Sequence, residues 1–130
     1  MTEQFDLFII DDDPTVIKLM MSMLSNYQLN IKTFTDPLEG LGQLSKNPPK
    51  VIFLDYNMPS IDAKKFIIKM SEQYLFQFSS VYLITGMSFD NVKKEELHSL
   101  GFSQVISKPF KKEDLLRALR EIIGDIIEKN

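Results

Sequence analysis

Four short apolar runs each end in a polar residue or cluster, and this pattern restricts the folds open to the chain more than any other. Phe8-Ile9-Ile10 leads into Asp11-Asp12-Asp13, and Val51-Ile52-Phe53-Leu54 leads into Asp55. Val81-Tyr82-Leu83-Ile84 leads into Thr85, and Val105-Ile106-Ser107 leads into Lys108-Pro109. Runs of this kind read as strands buried on both faces of a parallel sheet. In open parallel sheets a ligand site lies just beyond the carboxyl ends of the strands. Four strand ends would then bring carboxylates, a hydroxyl and an ammonium to one place. That set suits a magnesium ion and a phosphoryl group.

The segments between the runs have helical spacing. Asp13 reads as an N-cap and Pro14 as a first helical position. Val16, Ile17, Met20, Met21, Met23 and Leu24 then recur at helical intervals, the methionines chiefly as core filler. A short strand is expected over about Asn30 to Phe34. Asp36-Pro37-Leu38-Glu39 opens a second helix, which ends before Pro48-Pro49. The remaining strands are expected at Phe5 to Ile10, Lys50 to Leu54, Ser80 to Ile84 and Gln104 to Ser107. A third helix runs from about Asp62 into the Gln73 to Phe76 region. A fourth spans Asp90 to Leu100 and stops at Gly101. The clearest helix is the last, with Leu115, Leu116, Leu119, Ile122, Ile123, Ile126 and Ile127 in one long stripe. Its length leaves room for a dimer or partner face beyond the sheet. Strands alternating with helices imply a doubly wound α/β domain with a parallel sheet and helices on both faces. No repeat or interdomain linker interrupts the 130 residues, so one domain over 1–130 is expected.

Composition excludes several classes. The net charge of −3 gives no support for nucleic-acid binding. With no cysteine, disulfides, thiolate metal sites and cysteine nucleophiles are ruled out. No apolar run approaches the roughly 20 residues of a membrane span, and Met1-Thr2-Glu3-Gln4 does not open like a signal peptide. The expected setting is the cytoplasm, without membrane contact.

Taken in order, the segments IIDDDP, FLDYNMP, LITG and SKPF resemble the response-regulator receiver domains of two-component signalling. The spacings agree: 43 residues from Asp12 to Asp55, 30 to Thr85 and 23 to Lys108. The resemblance covers Phe5 to about Ile127. It implies a flavodoxin-like sheet of five strands in the order 2-1-3-4-5. It also implies that Asp55 accepts a phosphoryl group from a histidine kinase or histidine phosphotransfer protein. Asp11 and Asp12 would hold Mg2+, Asp12 directly and Asp11 largely through water, with Asp55 and the backbone carbonyl of Asn57. Thr85 would donate its hydroxyl to a phosphoryl oxygen, and Lys108 would pair with the phosphoryl charge. The Lys108-Pro109 bond is cis in the family. Output would pass through the face made by the fourth helix, the fifth strand and the last helix, to a downstream protein target or an output domain. A phosphorylation-dependent homodimer is one form that output could take. Such a domain is a switch rather than an enzyme, catalysing only its own phosphorylation and dephosphorylation.

Elementary chemistry supports these roles. Clustered carboxylates disfavour one another's ionised forms, and a divalent cation cancels much of that repulsion. Magnesium prefers oxygen ligands and keeps waters beside one or two carboxylates and a phosphate. Phosphoryl transfer asks a protein mainly for positioning and charge neutralisation. Taken singly, Thr85 would be a strand-end hydroxyl and Lys108 a solvated charge, and the set promotes both. Asp13 is fully explained as a cap, and His98 as a surface or partly packed side chain.

Two positions depart from the family pattern. Val105 stands where an aromatic is usual, three residues before the lysine, and Phe102 lies at the wrong offset to replace it. Gly86 follows Thr85 where alanine is frequent. Two other function classes fit parts of the sequence. Asp11-Asp12-Asp13-Pro14-Thr15 matches the Asp-x-Asp-x-Thr pattern of haloacid-dehalogenase-like phosphatases, with Asp11 as nucleophile. That reading leaves Asp55 unexplained, lacks a cap segment, and needs an acidic pair at a strand end after the lysine, where Asp125 instead falls inside the last helical pattern. A phosphate-independent receiver-like binding module is the third reading.

Overall fold

In a computed structural model of the chain, residues 4–56, 58, 63–73, 75–86, 95–96 and 98–130 are described. Strands β1 (Leu7–Ile10), β2 (Ile31–Phe34), β3 (Val51–Asp55), β4 (Ser80–Thr85) and β5 (Phe102–Ser107) form one sheet. All neighbouring strands are parallel, in the order β2-β1-β3-β4-β5. Helices described over their full length are α1 (Pro14–Leu24), α2 (Pro37–Lys46), α3 (Ala63–Glu72) and α4 (Lys112–Ile123), with a 3-10 turn at Leu75–Gln77.

The apolar runs become central strands because both faces of the sheet are covered. Side chains alternate across a strand, and the core divides accordingly. Phe8, Ile10, Ile52, Leu54, Val81 and Leu83 face α2 and α3, where they meet Leu41, Leu44, Phe66, Ile67 and Met70. Leu7, Ile9, Val51, Phe53, Tyr82 and Ile84 face α1 and α4, against Ile17, Met20, Leu24, Leu115, Leu116 and Leu119. Burying each such side chain contributes roughly 1.5–3 kcal/mol. Met20 is core as expected, whereas Met21 is partly exposed.

Helix starts follow the expected chemistry. Asp13 accepts a hydrogen bond from the Thr15 amide at 2.9 Å, and Asp36 accepts one from Leu38 at 2.9 Å. Each helix then opens with a proline. Of the predicted fourth helix, Asp90–Lys94 and Leu97 lie outside the described residues. Glu95, Glu96, His98 and Ser99 are helical and lead to Gly101, whose φ of 117° ends the turn. His98 Nδ1 donates to the Phe102 carbonyl at 3.0 Å, a packing role. β5 starts two residues earlier than predicted, because Phe102 is buried beneath the helices even though the polar Ser103 and Gln104 follow it.

One expectation is corrected. The last helix does not carry its stripe to Ile127. It ends at Ile123, and Gly124 adopts φ 90° and ψ −143°. Only glycine takes that conformation readily. Ile126 turns back against the core, while Ile127 is 63% exposed. The isoleucine spacing stays helical past a residue that stops the helix, so no overhanging helical face remains for a partner.

Two glycines separate space from conformation. A Cβ on Gly101 would lie 2.6 Å from Phe76 Cζ, and its φ is positive. A Cβ on Gly42, inside α2, would meet nothing within 4 Å. Gly101→Ala is expected to cost about 2–3 kcal/mol, and Gly42→Ala to stabilise by about 0.5–1 kcal/mol. Urea unfolding of both variants checks the opposite signs.

Candidate functional site

Strand register assembles the site. Ile10 pairs with Leu54 across β1 and β3, so Asp11 and Asp55 reach the same end of the sheet side by side. Asp55 pairs with Ile84 on β4, which places Thr85 one step beyond it. Thr85 pairs with Ser107 on β5, and the next residue is Lys108. The Lys108 amide donates to the Thr85 carbonyl at 2.7 Å, tying the two together through backbone. The Lys108-Pro109 peptide is cis.

Three of these groups are buried. Asp11 is 3% exposed, Asp55 6% and Thr85 1%, whereas Asp12 is exposed. Lys108 reaches back over the strand ends. Its Nζ lies 3.4 Å from Asp55 Oδ1 and 4.0 Å from Asp11 Oδ2. The Asp13 amide donates to Asp11 Oδ1 at 2.9 Å, while the Asp13 carboxylate caps α1. One carboxylate oxygen each from Asp11, Asp12 and Asp55 lies within 4.8 Å of the others.

Among the described residues, three carboxylates face one ammonium, an excess of two negative charges when all are ionised. Asp11 shows the strain: its pKa is pushed up from 3.8 to about 6. Burial is the main cause. The Asp55 and Asp12 charges push the same way, and the Asp13 amide and Lys108 oppose them. A divalent cation with a preference for hard oxygen ligands fits this donor set, since it cancels the excess charge without needing nitrogen or sulfur.

The structure therefore brings Asp11, Asp12, Asp55, Thr85 and Lys108 to one end of the sheet. Asn57 lies outside the described residues. The phosphatase pattern fares differently. Asp13, its second carboxylate, is committed to the α1 cap, and Asp125 lies beyond α4 on an exposed segment rather than inside the helix. The backbone link from Lys108 to Thr85 was not singled out from the sequence. Parallel pairing of the last two apolar runs is the signal that would have located it.

The family model for the response regulator receiver domain matches residues 7–120. The chain belongs to this family. Among curated relatives of the receiver, Protein PilG of Pseudomonas aeruginosa is 26% identical over 116 residues, covering 88% of this chain and 84% of PilG. Response regulator Rre1 of Synechocystis is 25% identical over 127 residues, covering 95% of this chain and 54% of Rre1. The chain thus spans most of one relative and about half of the other. The fold of the chemotaxis protein CheY4 of Vibrio cholerae superposes with a TM-score of 0.81 at 24% identity, over 93% of this chain and all of CheY4. Receiver domains are signalling modules of two-component systems, and the acidic cluster of this one is consistent with Mg2+ and an aspartyl phosphate. No helix among the described residues is long and apolar enough to cross a membrane.

The raised pKa of Asp11 has a definite sign for stability. Its folded value of about 6 lies above the unfolded 3.8, so the native state holds this proton more tightly. Below about pH 4 both states are protonated and nothing is lost. As pH rises through about 6, the native state must carry a charge it disfavours, and up to about 3 kcal/mol of stability is lost. Asp11→Asn keeps an acceptor for the Asp13 amide and removes the charge. In metal-free buffer it is expected to be more stable than wild type at pH 7, with the gap closing toward pH 4. Urea titrations at the two pH values test this.

Proposed function

We propose that this receiver is a phosphorylation-controlled switch whose phosphoacceptor is Asp55. The observation that carries the reading is the buried Asp55 carboxylate, with the Lys108 ammonium at 3.4 Å and the acid pair Asp11 and Asp12 beside it. A carboxylate oxygen of Asp55 attacks phosphorus. The bond from phosphorus to the donor breaks, and the donor leaves with its electron pair. From a phosphohistidine the leaving group is an imidazole, which takes up a proton. Lys108 follows the charge from the carboxylate to the phosphoryl oxygens, and the Thr85 hydroxyl donates to one of them.

Asp11, Asp12 and Asp55, with the backbone carbonyl of Asn57, would hold Mg2+, which when bound offsets the charge of both the carboxylates and the phosphoryl group. The new aspartyl phosphate adds up to about two negative charges. Attraction of Thr85 and Lys108 to that charge biases the domain between pre-existing inactive and active forms.

Residues 1–130 act in this reading as one receiver domain in the cytoplasm. The donor is a histidine kinase or histidine phosphotransfer protein. Output goes to a protein target or an attached domain through the face around β5, or through a phosphorylation-dependent homodimer. That face carries a groove of about 600 Å3 lined by Glu95, His98, Ser99 and Phe102 to Val105. Val105 is half-buried there and packs against the α2/α3 side of the core. Its short, stiff side chain cannot swing inward as an aromatic does. Movement of Thr85 therefore reaches β5 through the Lys108 amide rather than through a turning ring.

Intact mass after incubation with magnesium and a small acyl-phosphate donor tests the assignment. Wild type is expected to gain one phosphoryl group and Asp55→Asn none. Uptake by Asp55→Asn at the wild-type rate would sink it. A wild type that neither gains phosphate from a kinase nor binds magnesium would instead be a phosphate-independent module.

A further inference from the structure

The sheet and the site give α1 and α4 their places, yet neither accounts for the path of the chain beyond Gly124. A Cβ on Gly124 would meet nothing within 4 Å, so its φ of 90° serves direction rather than space. The chain reverses there and runs antiparallel to the turn that follows α1. The Gln28 amide donates to the Ile127 carbonyl at 2.8 Å, and the Lys129 amide donates to the Asn26 carbonyl at 2.7 Å. Tyr27 stands opposite Glu128 between these two bonds. Ile126 packs into the cluster that holds Tyr27, Leu24 and Leu119.

The two helices joined at their far ends are the two whose near ends carry the site. α1 starts at the Asp13 cap, next to Asp11 and Asp12. α4 starts at Lys112, four residues after Lys108. Tyr27 links the two ends, since Lys112 Nζ lies 6.0 Å from its ring centroid. The pairing is slight: two backbone bonds and one half-buried isoleucine, with Ile127, Glu128 and Lys129 exposed. Segments with so few buried contacts open at low free energy without global unfolding.

We propose that Asp125 to Lys129 form a detachable strap that sets the spacing of α1 and α4, and through them the placement of the acid pair relative to Lys108. The strap is a positioning element that touches no reacting atom. It requires neither phosphate nor magnesium, so it stands or falls separately from the assignment of Asp55.

Amide hydrogen exchange and amide chemical shifts on the full chain test it, in two variants. Gly124→Ala misdirects the strap without crowding any neighbour. Lys129→Pro removes the donor of one strap bond on an exposed residue. In both, the Gln28 amide is expected to exchange about tenfold faster or more, with β1 and β3 amides as slow as in wild type. The amides of Asp13 and Lys108 should shift in the same variants, and those of β2 should not. Faster exchange at Gln28 with Asp13 and Lys108 unmoved would reduce the strap to passive packing and overturn the proposal. Unchanged exchange at Gln28 would overturn it as well. Loss of strand protection together with Gln28 would show one cooperative unit with no detachable part, again overturning it.

Discussion

Ile10 lies opposite Leu54 where β1 meets β3, and the chemistry of this receiver depends on that pairing. Every residue of both strands is buried, with one set of side chains committed to α1 and α4 and the other to α2 and α3. A slip of one residue would turn each side chain to the wrong layer. The packing of some twenty apolar side chains thus holds two buried carboxylates next to each other, a contact that electrostatics alone would reject. Asp11 and Asp55 are adjacent because Ile10 and Leu54 cannot be anywhere else.

Lys108 and the Asp13 amide meet part of the repulsion so imposed. Lys108 reaches both acids, at 3.4 and 4.0 Å, and among the described residues it faces three carboxylates. The Asp13 amide helps Asp11, and burial works against it. A site left short of positive charge is selective for ligands that bring it, and responsive to a group that alters it. Burial is the main cause of the raised pKa of Asp11, and the crowding of acids around it makes the pocket suited to a divalent ion.

The site was legible because buried parallel strands leave an apolar signature and the polar residues stand immediately after it. Asp13 and Asp36 could be read as caps because a following proline marks the first helical turn. Other features depend on partners distant in sequence. The Tyr82 hydroxyl donates to Glu121 at 2.8 Å, joining β4 to α4 across 39 residues, and neither residue carries a local mark of it. Phe102 was missed as the start of β5 because polar neighbours hide its burial, and the ladder is irregular there, with a register shift at Val81 and Tyr82. The reversal at Gly124 was hidden by the isoleucines on either side, whose helical spacing continues although the backbone does not. Periodicity reports which side chains seek the core. It does not report whether one residue between them permits the helix to go on.

The strand order also bears on how the chain is made. β2 and β3 both dock on β1, β4 docks on β3, and β5 docks on β4. A ribosome can therefore deliver the sheet from its middle outward, each new strand finding a partner already synthesised. Lys108 follows the last strand, so it emerges well after Asp11 and Asp55. At about 5–20 residues per second, the acids wait several seconds for their cation. During that interval the nascent sheet carries its least comfortable contact without Lys108, and docking of β5 completes the sheet and brings that partial compensation in one event.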